Sequence, residues 1–355
     1  MLLRLLAAAA GLIIVIGTIG AAVKTFVLPR GVNVRLTSLI FRAVGWIFWL
    51  RARKARSYAE RDRMMALFAP LTLVLMPAVF LALVLVGYMA LFWALDMAPL
   101  ATVFKLSGSS LLTLGYESGG TIPHKILEFS EAMIGLILVA LLIAFLPTIY
   151  SAFSRRETAV AMLEAYAGSP PAAQEMLLRA NRIGELRALR DVWTTWQIWF
   201  AEVEESHTSL ASLAFFRSPQ GDRSWVTAAG TILDAAALLL STVDLPREPH
   251  AAICIRNGYI ALRRVADYFE MAYDPAPGAD DPISISQQEF DAAYDALLAG
   301  GVPVKPDRAQ AWRDFAGWRV NYDAVLLQLA ALTMAPYAPW VSDRSAVYLG
   351  KQTAG

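Results

Sequence analysis

Hydrophobic and polar positions divide the chain into an apolar first part and a more polar second part. Three long stretches of the first part contain no charged side chain: Leu5–Val23, Met64–Leu95 and Ala132–Ser154. A helix needs about 20 apolar residues to cross the hydrocarbon of a bilayer. A charge at its centre would cost about 2.5–3.5 kcal/mol. The pattern therefore predicts three membrane-spanning helices, and Pro70 and Pro77 favour a second crossing that begins near Leu71.

The first apolar stretch has two interpretations. Arg4 precedes it, and small residues between Gly17 and Ala22 could form the cleavage site of a secretory signal. The run is long, however, and the chain continues directly into a basic segment. We therefore expect residues 1–30 to form a retained N-terminal transmembrane helix.

Residues 31–69 are expected to form a basic cytoplasmic linker. The segment Arg30–Arg63 carries nine basic and two acidic residues, and basic loops are retained on the cytoplasmic side of a membrane. Within it, Leu36–Leu50 is apolar but short and is interrupted by Arg42. This pattern predicts an amphipathic helix at the membrane interface, anchored by two tryptophans. A short additional span is the alternative.

Composition and charge agree with two parts that lie in different solvents. Of the 355 residues, 57% are hydrophobic and 17% are charged, and the mean hydropathy is +0.48, which is too apolar for an ordinary water-soluble protein. The net charge of +1 is a cancellation, because residues 1–154 carry 13 basic and six acidic side chains whereas residues 155–355 carry 18 and 24. We expect membrane lipid as a partner and no nucleic acid.

The loop between the second and third spans carries the most specific motif. Pro99 favours a short helix over Ala98–Leu111, which is too short to cross a membrane. It is followed by Thr113-Leu114-Gly115-Tyr116-Glu117. This layout resembles the two-helix pore module of the potassium channel family, whose re-entrant pore loop carries the signature Thr-Val-Gly-Tyr-Gly. The resemblance covers about residues 71–154 and predicts a potassium-channel-like pore domain at 70–154.

The resemblance implies an ion-conducting filter made of Thr113, Leu114, Gly115, Tyr116 and Glu117. Four copies of this backbone could line one axis with carbonyl oxygens that replace the water around a potassium or other monovalent cation. The resemblance therefore implies a homotetramer. Gly115 supplies backbone angles that other residues avoid. Glu117 replaces the final glycine of the signature, which predicts strained backbone there and a ring of four carboxylates at the outer mouth.

The third span contains two positions at which an inner helix could bend. Gly135 lies where inner helices of the resembled family have a flexible glycine, and Pro147 removes one helix hydrogen bond. A gating hinge at Gly135 and Pro147 and ordinary helix packing are both open interpretations. Beyond the span, Ser154 and Glu157 have capping-box spacing, which predicts the start of a new helix.

Residues 155–355 are expected to form a helical cytoplasmic domain. Amphipathic periodicity predicts five helices in it: Glu175–Arg190, Thr227–Leu240, Cys254–Tyr273, Gln287–Leu298 and Tyr322–Met334. The helical spacing of three tryptophans indicates core packing: Trp193, Trp196 and Trp199. A second group could gather a metal ion but fits a solvated acidic face better: Glu202, Glu204, Glu205 and His207.

Candidate catalytic and cofactor chemistry is sparse. Cys254 is the single cysteine, which excludes a disulfide framework, and the histidines do not have the HExxH spacing of a zinc enzyme. We therefore expect no metal, no cofactor, no catalytic residue and no enzymatic activity.

Together these patterns predict an all-α membrane protein that acts as a cation channel. It would be a multi-pass protein of the cell (plasma) membrane, conducting potassium, with a helical cytoplasmic domain that could bind a protein partner. The alternative is a non-conducting, membrane-anchored signalling or scaffold protein with a channel-like fold. A membrane enzyme is the weakest interpretation, because paired acid and base residues are lacking near the bilayer.

Overall fold

The computed structural model describes residues 1–28, 34–184, 186–246 and 248–344, without the side chain of Arg187. These ranges contain thirteen α-helices and no strand, with one isolated antiparallel bridge between Val243 and Val304. The all-α prediction is therefore confirmed. Arg30 and the boundary expected between residues 1–30 and 31–69 lie outside the described residues.

The chain divides into two compact units. The first contains Met1–Ala55 and Met64–Ser151, and the second contains Arg56–Arg63 and Ala152–Gly355. The short segment before the second apolar stretch thus belongs to the second unit, although it lies within the basic linker expected from the sequence.

Five helices make up the first unit. They are α1 (Leu2–Phe26), α2 (Arg35–Ala52), α4 (Phe68–Asp96), α5 (Leu100–Leu111) and the first part of α6 (Ile122–Ala167), with α3 (Tyr58–Met65) preceding α4. Three of them are long and apolar enough to cross a membrane, with mean hydropathies of 2.4, 2.5 and 2.7 for the windows in α1, α4 and α6. These helices are compatible with a multi-pass membrane protein.

Two glycines set a close crossing of α1 and α4. A Cβ atom at Gly11 would lie 2.5 Å from the carbonyl oxygen of Gly87, and a Cβ at Gly87 would lie 2.7 Å from Val15 Cγ2. Small residues allow membrane helices to approach closely and to gain van der Waals contact. The first apolar helix is therefore packed into the first unit.

The new helix expected at Ser154 is not observed. α6 runs for 46 residues from Ile122 to Ala167 without a break, so Ser154 lies inside a helix. Residues 155–167 contain no glycine or proline and include four alanines, two arginines and two glutamates, which favour continuation of the helix. The helix ends before Gly168, whose φ of 82° is typical of a helix C-terminus.

The second unit is a helical domain around one large apolar core. Its helices after α6 are α7 (Ala173–Arg182), α8 (Leu189–Ser209), α9 (Trp225–Thr242), α10 (Pro249–Tyr268), α11 (Gln287–Ala299), α12 (Arg308–Arg319) and α13 (Asp323–Leu332). By length and composition α9 could also cross a membrane, but 94% of its apolar window is buried inside the protein. It forms the centre of this core.

Several helices begin or end at other residues than the amphipathic periodicity predicts. The helix expected over Glu175–Arg190 ends at Arg182, followed by a left-handed Gly184 and a 3-10 turn at Leu186–Ala188. α10 begins earlier than expected, because Glu248 caps it and Pro249 occupies its first turn. The five predicted ranges do not include α12, and α8 was indicated only by the helical spacing of its tryptophans.

The three tryptophans of α8 lie in the core, as expected from their spacing. Trp193, Trp196 and Trp199 are all buried, and the ring centroids of Trp196 and Trp199 are 4.4 Å apart. A charged cluster lies in the same core. Arg319, with no exposed surface, donates to Asp234 at 2.6 and 2.7 Å and to Asp323 at 2.7 Å.

Candidate functional site

The chain turns sharply between α4 and α5. Met97, with φ 54°, ends α4 in the left-handed region and donates its N–H to the Trp93 carbonyl at 2.7 Å. Pro99 then precedes the 12-residue helix α5. Proline fixes a φ that is suited to the start of a helix. The short helix expected from the sequence is thus present between two helices that are long enough to span a membrane.

The filter-like segment folds back onto the C-terminal end of α5. Leu114 N–H donates to the Ser109 carbonyl at 2.8 Å, and Thr113 N–H donates to Ser110 at 3.0 Å. Thr113 and Gly115 have positive φ values of 56° and 70°. Glu117 is not among the left-handed residues. The strain expected at Glu117 is therefore absent, and the left-handed turn is displaced to Thr113.

One serine side chain holds the end of this segment. Ser109 Oγ donates to the carbonyl oxygen of Glu117 at 3.1 Å and accepts from the Glu117 N–H at 3.1 Å. Ser109 itself is buried. Sequence reasoning missed this residue, although the Ser-Gly-Ser-Ser run at the end of α5 was a visible signal.

Four consecutive carbonyl groups of the loop have no partner within the described chain. The carbonyl oxygens of Thr113, Leu114, Gly115 and Tyr116 accept no hydrogen bond there. The side chains of Leu114 and Tyr116 are also exposed, at 61% and 62%. Buried backbone carbonyls are nearly always paired, whereas these four lie on an exposed loop and are open to water or to an ion. What is particular to this loop is the position of these exposed oxygens, directly after a short helix that lies between two long apolar helices.

The segment after the filter-like residues is held by Glu128 of α6. Its carboxylate accepts from the Gly119 N–H at 2.6 Å and from the Ser118 hydroxyl at 3.2 Å. Lys125 forms an ion pair with the same carboxylate at 3.1 Å. Ser118 and Gly119 are thereby fixed to the first turns of α6.

His124 joins the adjacent ends of α4 and α6. Its Nε2 lies 2.9 Å from Asp96 Oδ2, its Nδ1 lies 2.6 Å from the Thr121 hydroxyl, and its ring stacks on Phe92 at a centroid distance of 6.1 Å. A side chain at Gly119 would overlap the His124 ring, since a Cβ there would lie 2.5 Å from it. His124 therefore has a structural position and is not a metal ligand with open coordination.

Behind the loop, α5 is joined to both long helices. Ser107 Oγ is 2.5 Å from Glu131 Oε1 on α6 and 3.2 Å from the Leu85 carbonyl on α4. Glu131 has no exposed surface. Ser107 pairs one oxygen of this carboxylate, whereas Glu131 Oε2 is buried and has no partner among the described residues. The Ser107 contacts join the short helix to both of its neighbours.

The two expected hinge residues lie in different surroundings. A Cβ at Gly135 would lie 2.3 Å from the Leu111 carbonyl oxygen, so the glycine permits close packing of α6 against the end of α5. Pro147 is exposed and lies within α6. The helix is unbroken at both positions.

The possible metal group on α8 is not assembled. Glu202 and Glu205 are exposed, whereas His207 is buried and contacts Arg156 Nη1 at 3.2 Å. Among the residues that the structure describes, no group of three or more histidine, cysteine, aspartate or glutamate side chains could hold a metal ion. Burial and then the charge of Arg156 hold the pKa of His207 well below its ordinary value of 6.5.

Comparison of this chain with protein-family models, with curated proteins and with solved structures finds no match. The potassium channel family therefore remains a resemblance carried by Thr113–Glu117 and its flanking helices. Any function has to be inferred from these residues and their geometry.

Proposed function

We propose that this chain is one subunit of a cation channel whose conduction path is lined by Thr113–Glu117, with potassium as the expected permeant ion. The observation that carries this proposal is the run of four carbonyl oxygens without hydrogen-bond partners. An ion that leaves water needs such oxygens in place of its hydration shell. Irregular backbone at membrane depth is tolerated where it lines a water-filled path.

Four copies of the chain would complete the site. One loop exposes its oxygens and its Leu114 and Tyr116 side chains, and it cannot surround an ion alone. In a homotetramer the Thr113 hydroxyls would lie at one end of the path and the Glu117 carboxylates at the other. The C-terminal ends of the α5 helices would add negative potential for cations.

The contacts around the loop support this function because a filter has to hold its oxygens at fixed positions. Ser109 fixes the backbone of Glu117, and Glu128 fixes Gly119. Ser107 holds α5 against both long helices.

The proposed setting is the plasma membrane. The basic residues around α2 and α3 would be retained on the cytoplasmic side, and the loop after α5 would face outside. The second unit would then lie in the cytoplasm. Its surface could recruit a protein partner, which is also what the non-conducting alternative would require.

Potassium flux into liposomes tests the proposal. Gly115 and Gly120 both have open space around them, but only Gly115 has a positive φ. Alanine at Gly115 is expected to cost about 1–2 kcal/mol in loop conformation and to abolish most flux, whereas Gly120→Ala should conduct like the unmodified chain. Absence of flux from the unmodified full-length protein would favour the scaffold interpretation.

A further inference from the structure

A small pocket of the second unit lies where the chain enters α9. It is formed by the connection from Phe216 to Trp225, and Arg217, Ser218, Arg223 and Ser224 line it. The connection joins the 3-10 helix Ala211–Phe215 to the 18-residue helix α9. All of these residues belong to one compact unit.

Two hydrogen-bond donors at this pocket have no acceptor. Ser218 is only 8% exposed, and its Oγ is buried and has no partner within the described chain. Arg223 Nε is also buried and has no partner there, although Nη2 of the same guanidinium pairs with Glu164. Buried polar groups are nearly always paired, so these two donors call for a partner that is either a bound water or an ion.

The first turn of α9 contributes a third favourable feature. Ser224 is its N-cap, and its side chain accepts from the Val226 N–H. The remaining N–H groups of a first helical turn, together with the helix dipole, favour an anion nearby. The helix end and the unpaired donors therefore indicate the same kind of ligand.

We propose that this pocket binds a phosphate-type oxyanion, either as inorganic phosphate or as the terminal phosphoryl group of a small soluble metabolite. Its oxygens would accept from Ser218 Oγ and Arg223 Nε, and its charge would be balanced by Arg217 and Arg223. Arginine suits this chemistry because its planar fork can donate two bonds to one oxyanion.

The two arginines already hold carboxylates, so the oxyanion would compete with them. Arg217 donates to Asp62 Oδ1 at 2.6 Å, to the Tyr58 hydroxyl at 3.1 Å and to the Thr333 carbonyl at 2.9 Å. Arg223 pairs with Glu164. Binding would therefore redistribute the contacts of α3 and of the last turns of α6.

The segments that would change, α3 and the end of α6, are continuous in sequence with the two long helices beside the pore-like loop. Asp62 lies shortly before α4, and Glu164 lies on the helix that continues from the first unit. If the proposed channel function holds, on which this step rests, oxyanion binding would change the hold on both helices that flank the pore-like loop. Phosphate is then a regulator of ion flux.

Binding can be measured independently of flux. Inorganic phosphate is titrated by calorimetry into the full-length protein in detergent micelles, against chloride at equal ionic strength. We expect saturable binding that Ser218→Ala and Arg223→Gln each weaken by about tenfold or more, because each loses a bond to a charged group. Ser218 has no internal partner, so its alanine variant should fold normally.

Matched controls are available in the same unit. Ser241→Ala removes a buried hydroxyl that bonds to the Leu238 carbonyl, and Arg313→Gln removes an exposed arginine that bonds to Gln310. Both controls should bind phosphate like the unmodified protein. No saturable heat would overturn the proposal. Equal binding by Ser218→Ala and the controls would mean adventitious binding elsewhere on the protein and would overturn it as well.

Two further experiments identify the ligand and measure its effect on ion flux. Binding of glycerol 3-phosphate as well as inorganic phosphate supports recognition of a phosphoryl group, and binding of phosphate alone supports the free ion. In potassium-loaded liposomes, phosphate should shift the flux of the unmodified protein but not of Ser218→Ala. Binding without any flux would leave the site established and contradict the channel function instead.

Discussion

Ser109 binds the backbone of Glu117 twice: its hydroxyl donates to the carbonyl oxygen and accepts from the N–H, each at 3.1 Å. These two hydrogen bonds close the filter-like loop onto α5. They leave the carbonyl oxygens of residues 113–116 available to an ion. The proposed conduction path depends on that closure.

Removing the Ser109 hydroxyl should release the loop. Ser109→Ala loses two hydrogen bonds, worth about 1 kcal/mol each, and we expect at least a fivefold loss of potassium flux in liposomes. Ser110→Ala is the matched control, since the Ser110 hydroxyl bonds within α5, to the Leu106 carbonyl at 2.9 Å, and the substitution leaves the backbone bond from Thr113 in place. Equal flux from both variants would show that Ser109 does not hold a conducting loop.

A substitution at Gly135 distinguishes between two roles of this residue, close helix packing and a gating hinge. Because a Cβ would lie 2.3 Å from the Leu111 carbonyl oxygen, Gly135→Ala must displace α5 from α6. We expect it to destabilise the protein by about 1–3 kcal/mol, measured as a lower thermal unfolding midpoint in detergent. An unchanged midpoint combined with altered opening would instead identify Gly135 as a hinge.

Glu117 is expected to concentrate cations at the outer mouth. Its backbone is not left-handed, so Glu117→Gln should leave the loop conformation intact and remove only the charge. Flux should fall severalfold at low ionic strength and recover in about 1 M salt, where screening acts within about 3 Å. A loss that does not depend on salt would mean that Glu117 has a structural role.

His207 makes the second unit sensitive to acid. Its pKa is lowered in the folded state by burial and by Arg156, so the unfolded chain binds a proton that the folded chain excludes. Stability is therefore complete above about pH 6.5 and falls by up to about 1.4 kcal/mol per pH unit below it. Thermal unfolding between pH 7.5 and 5 measures this dependence.

The variant His207→Gln is the control for this pH effect. Glutamine does not titrate, so the slope below pH 6.5 should become smaller. An unchanged slope would assign the acid sensitivity to other groups.

The sequence is sufficient to predict the coarse fold of the membrane part. Length and absence of charge define α1, α4 and the apolar part of α6, because hydrocarbon excludes polar residues strongly. The short α5 follows from Pro99 and from the polar loop after it. The continuation of α6 past Ser154 was missed, because a capping-box spacing is a weak local signal compared with good helix formers on both sides.

The contacts that anchor the loop could not be predicted from local pattern. Ser109 and Glu117 are near in sequence, but their pairing depends on the left-handed turn at Thr113. Ser107 meets Glu131 only after α4, α5 and α6 have packed. In the second unit, the tryptophan spacing indicated the buried face of α8 but not the ends of the helix, which lie at Leu189 and Ser209.

Single-channel recording of the full-length protein in a planar bilayer tests the conduction mechanism most directly. With potassium on one side and sodium on the other, we expect discrete current steps that reverse at a potential favouring potassium, and no steps from Gly115→Ala. A purified protein that inserts into the bilayer yet never produces current steps would contradict a conducting pore.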